Sequence, residues 1–310
     1  MQKYRSLVLP IAILLGFLFD DTFSKMSPIV PYLIAAMLFL TCCNVDIKHI
    51  KLSSFYAYLL GFQVVISLLV YFLLNQWDKP LAEGALVLIL APTATSAVVV
   101  ATMLGAKLNT MLTYTLLCNL MTALVAPIYF AFISPQDIDF AATGLSILRI
   151  FREIFPMLFV PLFLALLVKK LLPKVNQFLL KCGIVSFYLW AIALTVVVGR
   201  TIKFIKEHTS DSRQIVIMAI TAGILCIIQF MVGRYFGKKY GDTVAGGQSL
   251  GQKNTVLAIW MAQTYLPGLA CVLPAMYVIC QNLFNSYQLA RQKSEKKEKK
   301  NVQCKQKSVF

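Results

Sequence analysis

Residues 55–75 read FYAYLLGFQVVISLLVYFLLN. The run carries no charge and has about the 20 residues that an α-helix needs to cross a bilayer. Working outward, nine further stretches share this character: 5–19, 28–45, 81–104, 109–133, 150–168, 178–199, 213–233, 249–264 and 266–290. The first is short and the ninth is polar at its start. Together they predict an all-α polytopic membrane protein with ten transmembrane helices.

Composition agrees. The chain is 59% hydrophobic and 14% charged, with a mean hydropathy of +0.74. Soluble domains sit near 45–50% apolar, and one soluble core of this size could not hide the excess. The formal net charge of +16 does not point to nucleic acid, because of where the charge sits. Eight of the 29 Lys and Arg fall in the last twenty residues: Arg291, Lys293, Lys296, Lys297, Lys299, Lys300, Lys305 and Lys307. Residues 291–310 therefore read as a basic, disordered cytoplasmic tail beside anionic lipid. Residues 1–290 read as a single transmembrane domain.

Loop charge orients the chain. With the N-terminus inside, the cytoplasmic loops hold Lys48, Lys51, Lys107, Lys169, Lys170, Lys174, Lys181, Arg234, Lys238 and Lys239. The outer loops hold Lys25, Lys79, and Asp137 and Asp139 before Arg149. One predicted outer loop runs against the rule, with Arg200, Lys203, Lys206 and Arg213. The balance places both termini in the cytoplasm of an inner (plasma) membrane protein and makes the helix count even. Leu7–Phe19, behind Lys3 and Arg5, has the outline of a signal peptide. It is followed by Asp20 and Asp21 rather than a small-x-small site, so it reads as the first membrane helix.

No cofactor is expected. The eight cysteines form no CxxC pair, and the two histidines, His49 and His208, stand in predicted loops. The two halves look related. Helices one and six each carry an early proline (Pro10, Pro156), and helices five and ten each carry one asparagine (Asn119, Asn282). Five helices per half makes the second repeat inverted, a recurring transporter plan.

Polar interruptions in membrane helices are where transporters build sites. In helix four, Ala91-Pro92-Thr93-Ala94-Thr95-Ser96-Ala97 places three hydroxyls after a proline. It reads equally as a site or as a plain proline kink. Gly246-Gly247-Gln248-Ser249-Leu250-Gly251-Gln252-Lys253-Asn254-Thr255 opens helix nine as a run of poor helix formers. Lys253 then stands at or inside the hydrocarbon, where a charge marks function unless it snorkels out. Gln63, Asn119 and Asn282 are lone amides that serve as ligands or as interhelical glue.

In this order and spacing, these pieces resemble the bile acid:sodium symporter family, of which the chain looks like a divergent, bacterial-type member. Gln63 stands where that family has a ligand glutamine. Pro92 to Ser96 resembles its Pro-x-x-Thr-Ala-Ser segment. Thr115 and Asn119 precede Pro127, where it has hydroxyl ligands. Ser249 to Thr255 resembles its Glu-x-Gly-x-Gln-Asn-x segment, and Pro274, Gln281-Asn282-Leu283 and Ser286 resemble its helix-ten ending. The resemblance implies a panel of helices one, two, six and seven and a core of helices three to five and eight to ten. Helices four and nine would be broken and cross in the core. It implies transport of a small organic anion, a carboxylate or sulfonate, through the cleft between the two parts. The substrate and ion ligands it points to are Gln63, Thr93, Thr95, Ser96, Thr115, Asn119, Ser249, Gln252, Lys253, Asn254 and Asn282.

The departures are specific. Ser249 stands for the family's sodium-binding glutamate and Lys253 for its glutamine. Ala97 and Val98 stand near its Ser-Asn ligand pair. A fixed ammonium would repel Na⁺. Lys253 is thus expected to replace sodium as the structural cation, to carry a coupling proton, or to pair with the substrate's carboxylate. Two other classes compete: a membrane-embedded lipid-modifying enzyme, and a membrane protein that transports nothing. For the enzyme, Asp20-Asp21 is the only adjacent acidic pair.

Overall fold

The computed structural model describes residues 2–44, 52–133, 140–180, 182–208, 212–266 and 268–307. Lys48, His49, Lys51, Asp137, Asp139 and Lys181, used above, lie outside them. Among the described residues the chain is helical throughout, with no strand. Six helices are long and apolar enough to cross a membrane. They are α4 (Ser54–Leu74), α7 (Leu108–Ile133), α8 (Phe140–Leu171), α10 (Gly183–His208), α11 (Ser212–Lys239) and α14 (Val272–Lys307). Two predicted spans are shorter helices, α1 (Gln2–Leu18) and α3 (Val30–Cys42). The short α2 (Asp20–Lys25) and α9 (Pro173–Leu180) are connectors.

The remaining two predicted spans are each broken in the middle. Residues 81–104 fold as α5 (Lys79–Leu90) and α6 (Thr95–Met103), and the ninth span as α12 (Thr243–Gly251) and α13 (Thr255–Tyr265). Proline and hydroxyl chemistry ends α5, since Pro92 has no N–H to continue the ladder. The starts are capped by side chains: Asp78 accepts from Leu81 N at 2.8 Å, Asp242 from Ala245 N at 2.9 Å, and Asn254 from Leu257 N at 3.2 Å. Every residue of α5 from Leu81 to Leu90 is buried, as is α13 from Thr255 to Ala262. The helices around them turn apolar side chains such as Phe72, Ile220 and Met231 outward, as lipid-facing surfaces do.

Three expectations are corrected here. The ninth span starts earlier than residue 249, since Gly246 to Gly251 lie inside α12, which opens at Thr243. Its glycines are helical because α11 packs against them, backbone to backbone. A Cβ on Gly246 would run into the Gly233 carbonyl and into Gly237, and one on Gly251 into the Phe230 ring. The outer loop that broke the positive-inside pattern is also helix, since α10 carries Arg200, Lys203 and Lys206 and ends at His208. There Lys203 pairs with Asp21 at 2.8 Å and Lys206 with Asp20 at 2.9 Å. The Lys203 hydrogen bond holds the Asp21 carboxyl below its usual range. Thirdly, α14 continues to Lys307, so the basic tail prolongs its helix. Lys, Glu and Gln are good helix formers, and no Gly or Pro interrupts residues 291–307.

Candidate functional site

The two broken helices meet at their breaks. Thr93 and Lys253 form an isolated antiparallel bridge. Ala94 N donates to Gln252 O at 2.9 Å, and Asn254 N donates to Pro92 O at 2.7 Å. Each extended segment thus satisfies the backbone groups that the other loses by leaving its helix.

The end of α5 is closed by side chains. A helix C-terminus presents carbonyls with no partner and a partial negative charge. Lys253 is fully buried, and its Nζ donates to Ile89 O at 2.8 Å and Ala91 O at 3.0 Å. Gln63 of α4 donates through Nε2 to Leu90 O at 2.6 Å and Ala91 O at 2.8 Å. Thr122 of α7 adds a bond to Leu90 O at 3.2 Å. Gln63 is itself fixed, because its Oε1 accepts from Tyr114 OH at 3.0 Å and from Cys118 Sγ at 3.2 Å. The ammonium therefore sits among carbonyl oxygens at the negative end of a helix, the coordination expected of a small cation.

The end of α12 is closed by neutral groups. Tyr277 OH of α14 donates to Gly251 O at 2.7 Å and accepts from Gln229 Nε2 of α11 at 3.3 Å. Thr93 Oγ1 donates to Ser249 O at 2.7 Å. Gln281 of α14 accepts from Lys253 N at 2.9 Å. Gln252 donates to Ser96 Oγ at 2.9 Å.

The structure thus brings Gln63, Thr93, Ser96, Ser249, Gln252, Lys253 and Asn254 to one crossing. Thr95 starts α6 and is half-buried. Thr115, Asn119 and Asn282 lie elsewhere. Asn282 donates back to Val278 O of its own helix at 2.7 Å, and it is the adjacent Gln281 that reaches the crossing. Asn119 likewise donates to Thr115 O at 2.7 Å. Thr115 and Asn119 line an apolar cleft between α3, α7 and α8, with Leu38, Leu112 and Phe159. A more polar recess of about 320 Å³ lies between α7, α8 and the end of α13, where Tyr265 OH donates to Glu153 Oε2 at 2.8 Å. Tyr114, Cys118, Thr122, Gln229 and Tyr277 were not singled out from the sequence, although both tyrosines stand five residues before the asparagines that were.

The surroundings of Ser249 do not fit a sodium ion. Sodium needs several oxygens, and at Ser249 the side-chain partner is Met111 Sδ at 3.7 Å. Ala94, Ala97, Val98, Ala101, Met111 and Ala245 make the surroundings apolar. The carbonyl oxygens at the end of α5 hold the Lys253 ammonium.

A family model described as the Sodium Bile acid symporter family matches residues 31–208, more than half of the chain. No curated protein matches the chain.

Proposed function

The chain belongs to the Sodium Bile acid symporter family, and from that premise we propose that it is a secondary transporter of a small organic anion that works without sodium. It is a multi-pass membrane protein of a transporter family. The observation that carries the finer reading is the Lys253 ammonium bound to the Ile89 and Ala91 carbonyls. A tethered cation there stabilises the broken helix permanently, so no external metal ion is required.

On this reading ten helices form two inverted repeats, with α5/α6 and α12/α13 counted as one helix each. Two hydrogen bonds support the inversion. Gln214 Nε2, at the start of α11, donates to the α5 cap Asp78 at 2.8 Å, and Lys107 N, before α7, donates to the α12 cap Asp242 at 3.0 Å. Each repeat thus ties its broken helix to a segment of the other. The panel is α1, α3, α8 and α10, the core is α4–α7 and α11–α14, and the substrate moves through the cleft where α7 faces α3 and α8. Both termini lie in the cytoplasm and the membrane is the inner one.

Sodium titrated against choline at constant ionic strength, with thermal unfolding followed in detergent, tests the sodium-free reading. A ligand that binds only the folded state stabilises it by about 2.7 kcal/mol at a hundredfold excess over Kd. A flat melting temperature is expected. A sodium-specific rise overturns the reading.

A further inference from the structure

Glu83, in the second turn of α5, has no role in the crossing. Its side chain is 1% exposed, and its Oε1 has no hydrogen-bond partner. It is the one buried carboxylic acid among the described residues. The ammonium of Lys79, one turn earlier, lies 3.9 Å away, beyond hydrogen-bond reach, on a side chain that is 45% exposed. A carboxylate buried without a donor is costly, whereas the neutral acid carries no charge to desolvate.

The elements packed on α5 are α4, α7, α13, the turn Gly268–Cys271 and α14. Their ionisable side chains near the core are mostly engaged elsewhere. Tyr114 and Cys118 of α7 bond Gln63, and Tyr129 bonds Val64 O. Tyr265 of α13 bonds Glu153, and Cys271 interacts with Thr201 and Gln263. Tyr277 of α14 bonds Gly251 O, and Cys280 interacts with Cys226. Tyr71 of α4 is buried, and α4 packs on α5.

Tyr71 belongs to a stripe. Gln63, Ser67 and Tyr71 recur every four residues on one face of α4, and all three are buried. Eight residues of helix span about 12 Å. At one end Gln63 shares the Ala91 carbonyl with Lys253. In the middle Ser67 Oγ and Tyr129 OH both donate to Val64 O, at 2.8 and 3.1 Å. At the other end stands Tyr71. Buried polar side chains thus recur along the face of α4 that starts at the fixed cation's carbonyl.

We propose that Glu83 is a proton-binding site of this core, serving the transport cycle in place of the sodium ion that Lys253 excludes. The step is a proton added to or removed from the carboxylate, with no other bond made or broken. This rests on the sodium-free reading above. Infrared spectroscopy of the purified protein in detergent across a pH series tests it. A protonated-carboxyl C=O band is expected that titrates in the wild type, is lost in Glu83→Gln and moves in Glu83→Asp. Absence of the band, or its survival in Glu83→Gln, overturns the proposal. If Glu83→Gln fails to fold, an unmoved band in Glu83→Asp overturns it equally. Parallel series in sodium and choline chloride separate the two readings. Absence of the band from the wild type, with a flat melting temperature in sodium, sinks the proton site and leaves the sodium-free reading standing. A sodium-specific rise in melting temperature sinks the sodium-free reading and the role built on it.

Discussion

An ammonium in a hydrocarbon-facing core persists only where oxygens replace its water. Lys253 meets that condition with two carbonyls at a helix C-terminus, so removing it leaves the Ile89 carbonyl without that partner, while Ala91 O keeps Gln63. Hydrogen bonds to charged groups contribute about 1.5–3 kcal/mol each. Lys253→Met removes two such bonds and is therefore expected to lose about 3–6 kcal/mol of stability by that measure, and Lys253→Gln less, because an amide keeps a donor. Thermal unfolding of both variants in detergent checks this, and equal melting temperatures for Lys253→Met and the wild type would show that the ammonium holds nothing. At this scale the sequence is uneven. Gln63 stands out as a lone polar group in an apolar run, and Lys253 as a charge at or inside the hydrocarbon. Tyr114 and Tyr277 do not, since an aromatic ring in a membrane helix looks like any other apolar residue until its hydroxyl is seen bonded. Gln281 and Asn282 are neighbours, and about 100° of helix rotation decides which one faces the crossing. One sequence does not reveal that rotation.

Breaks and joints belong to the scale of the element. The break after α5 is legible in Pro92 and the hydroxyls that follow. The start of α12 is not, because glycine signals both a loop and a close helix contact, and only the neighbour decides. That neighbour is α11, whose Gly233-x-x-x-Gly237 is the small-residue pattern that lets membrane helices touch backbones. Gly246→Ala is expected to force α11 and α12 apart, since its Cβ meets backbone rather than a flexible side chain. Gly61→Ala, also within a helix, meets nothing within 4 Å and lies on an exposed face of α4. It is expected to be neutral or to gain up to about 1 kcal/mol from helix propensity. Melting temperatures of the two variants side by side decide the matter. A Gly246→Ala protein as stable as Gly61→Ala would mean that α11 and α12 do not pack this closely in the bilayer.

Across the whole molecule, matched devices support the proposed plan of two inverted repeats. Asp78 caps α5 and Asp242 caps α12. Gln63 and Tyr114 serve the end of α5, while Gln229 and Tyr277 serve the end of α12. Asn119 and Asn282 each bond back to the carbonyl four residues earlier. Of these devices the asparagines alone were readable as a repeat signal, beside the early prolines Pro10 and Pro156, because the caps lie in loops and the tyrosines in apolar runs. The halves differ where chemistry differs, since a cation closes α5 and a phenol closes α12. Inversion has a geometric consequence that needs no substrate. The joints before α5 and after α13 must lie on one side of the membrane, and those before α7 and before α12 on the other. With native cysteines replaced by serine, Trp77→Cys and Thr264→Cys are expected to react with an impermeant maleimide added to intact cells. Lys107→Cys and Lys239→Cys are expected to react only after the cells are opened. All four parent side chains are exposed. Labelling of all four from one side would exclude the inverted plan, since a segment broken at Pro92 would then turn back instead of crossing, and Lys253 would cap a re-entrant loop rather than a transmembrane helix.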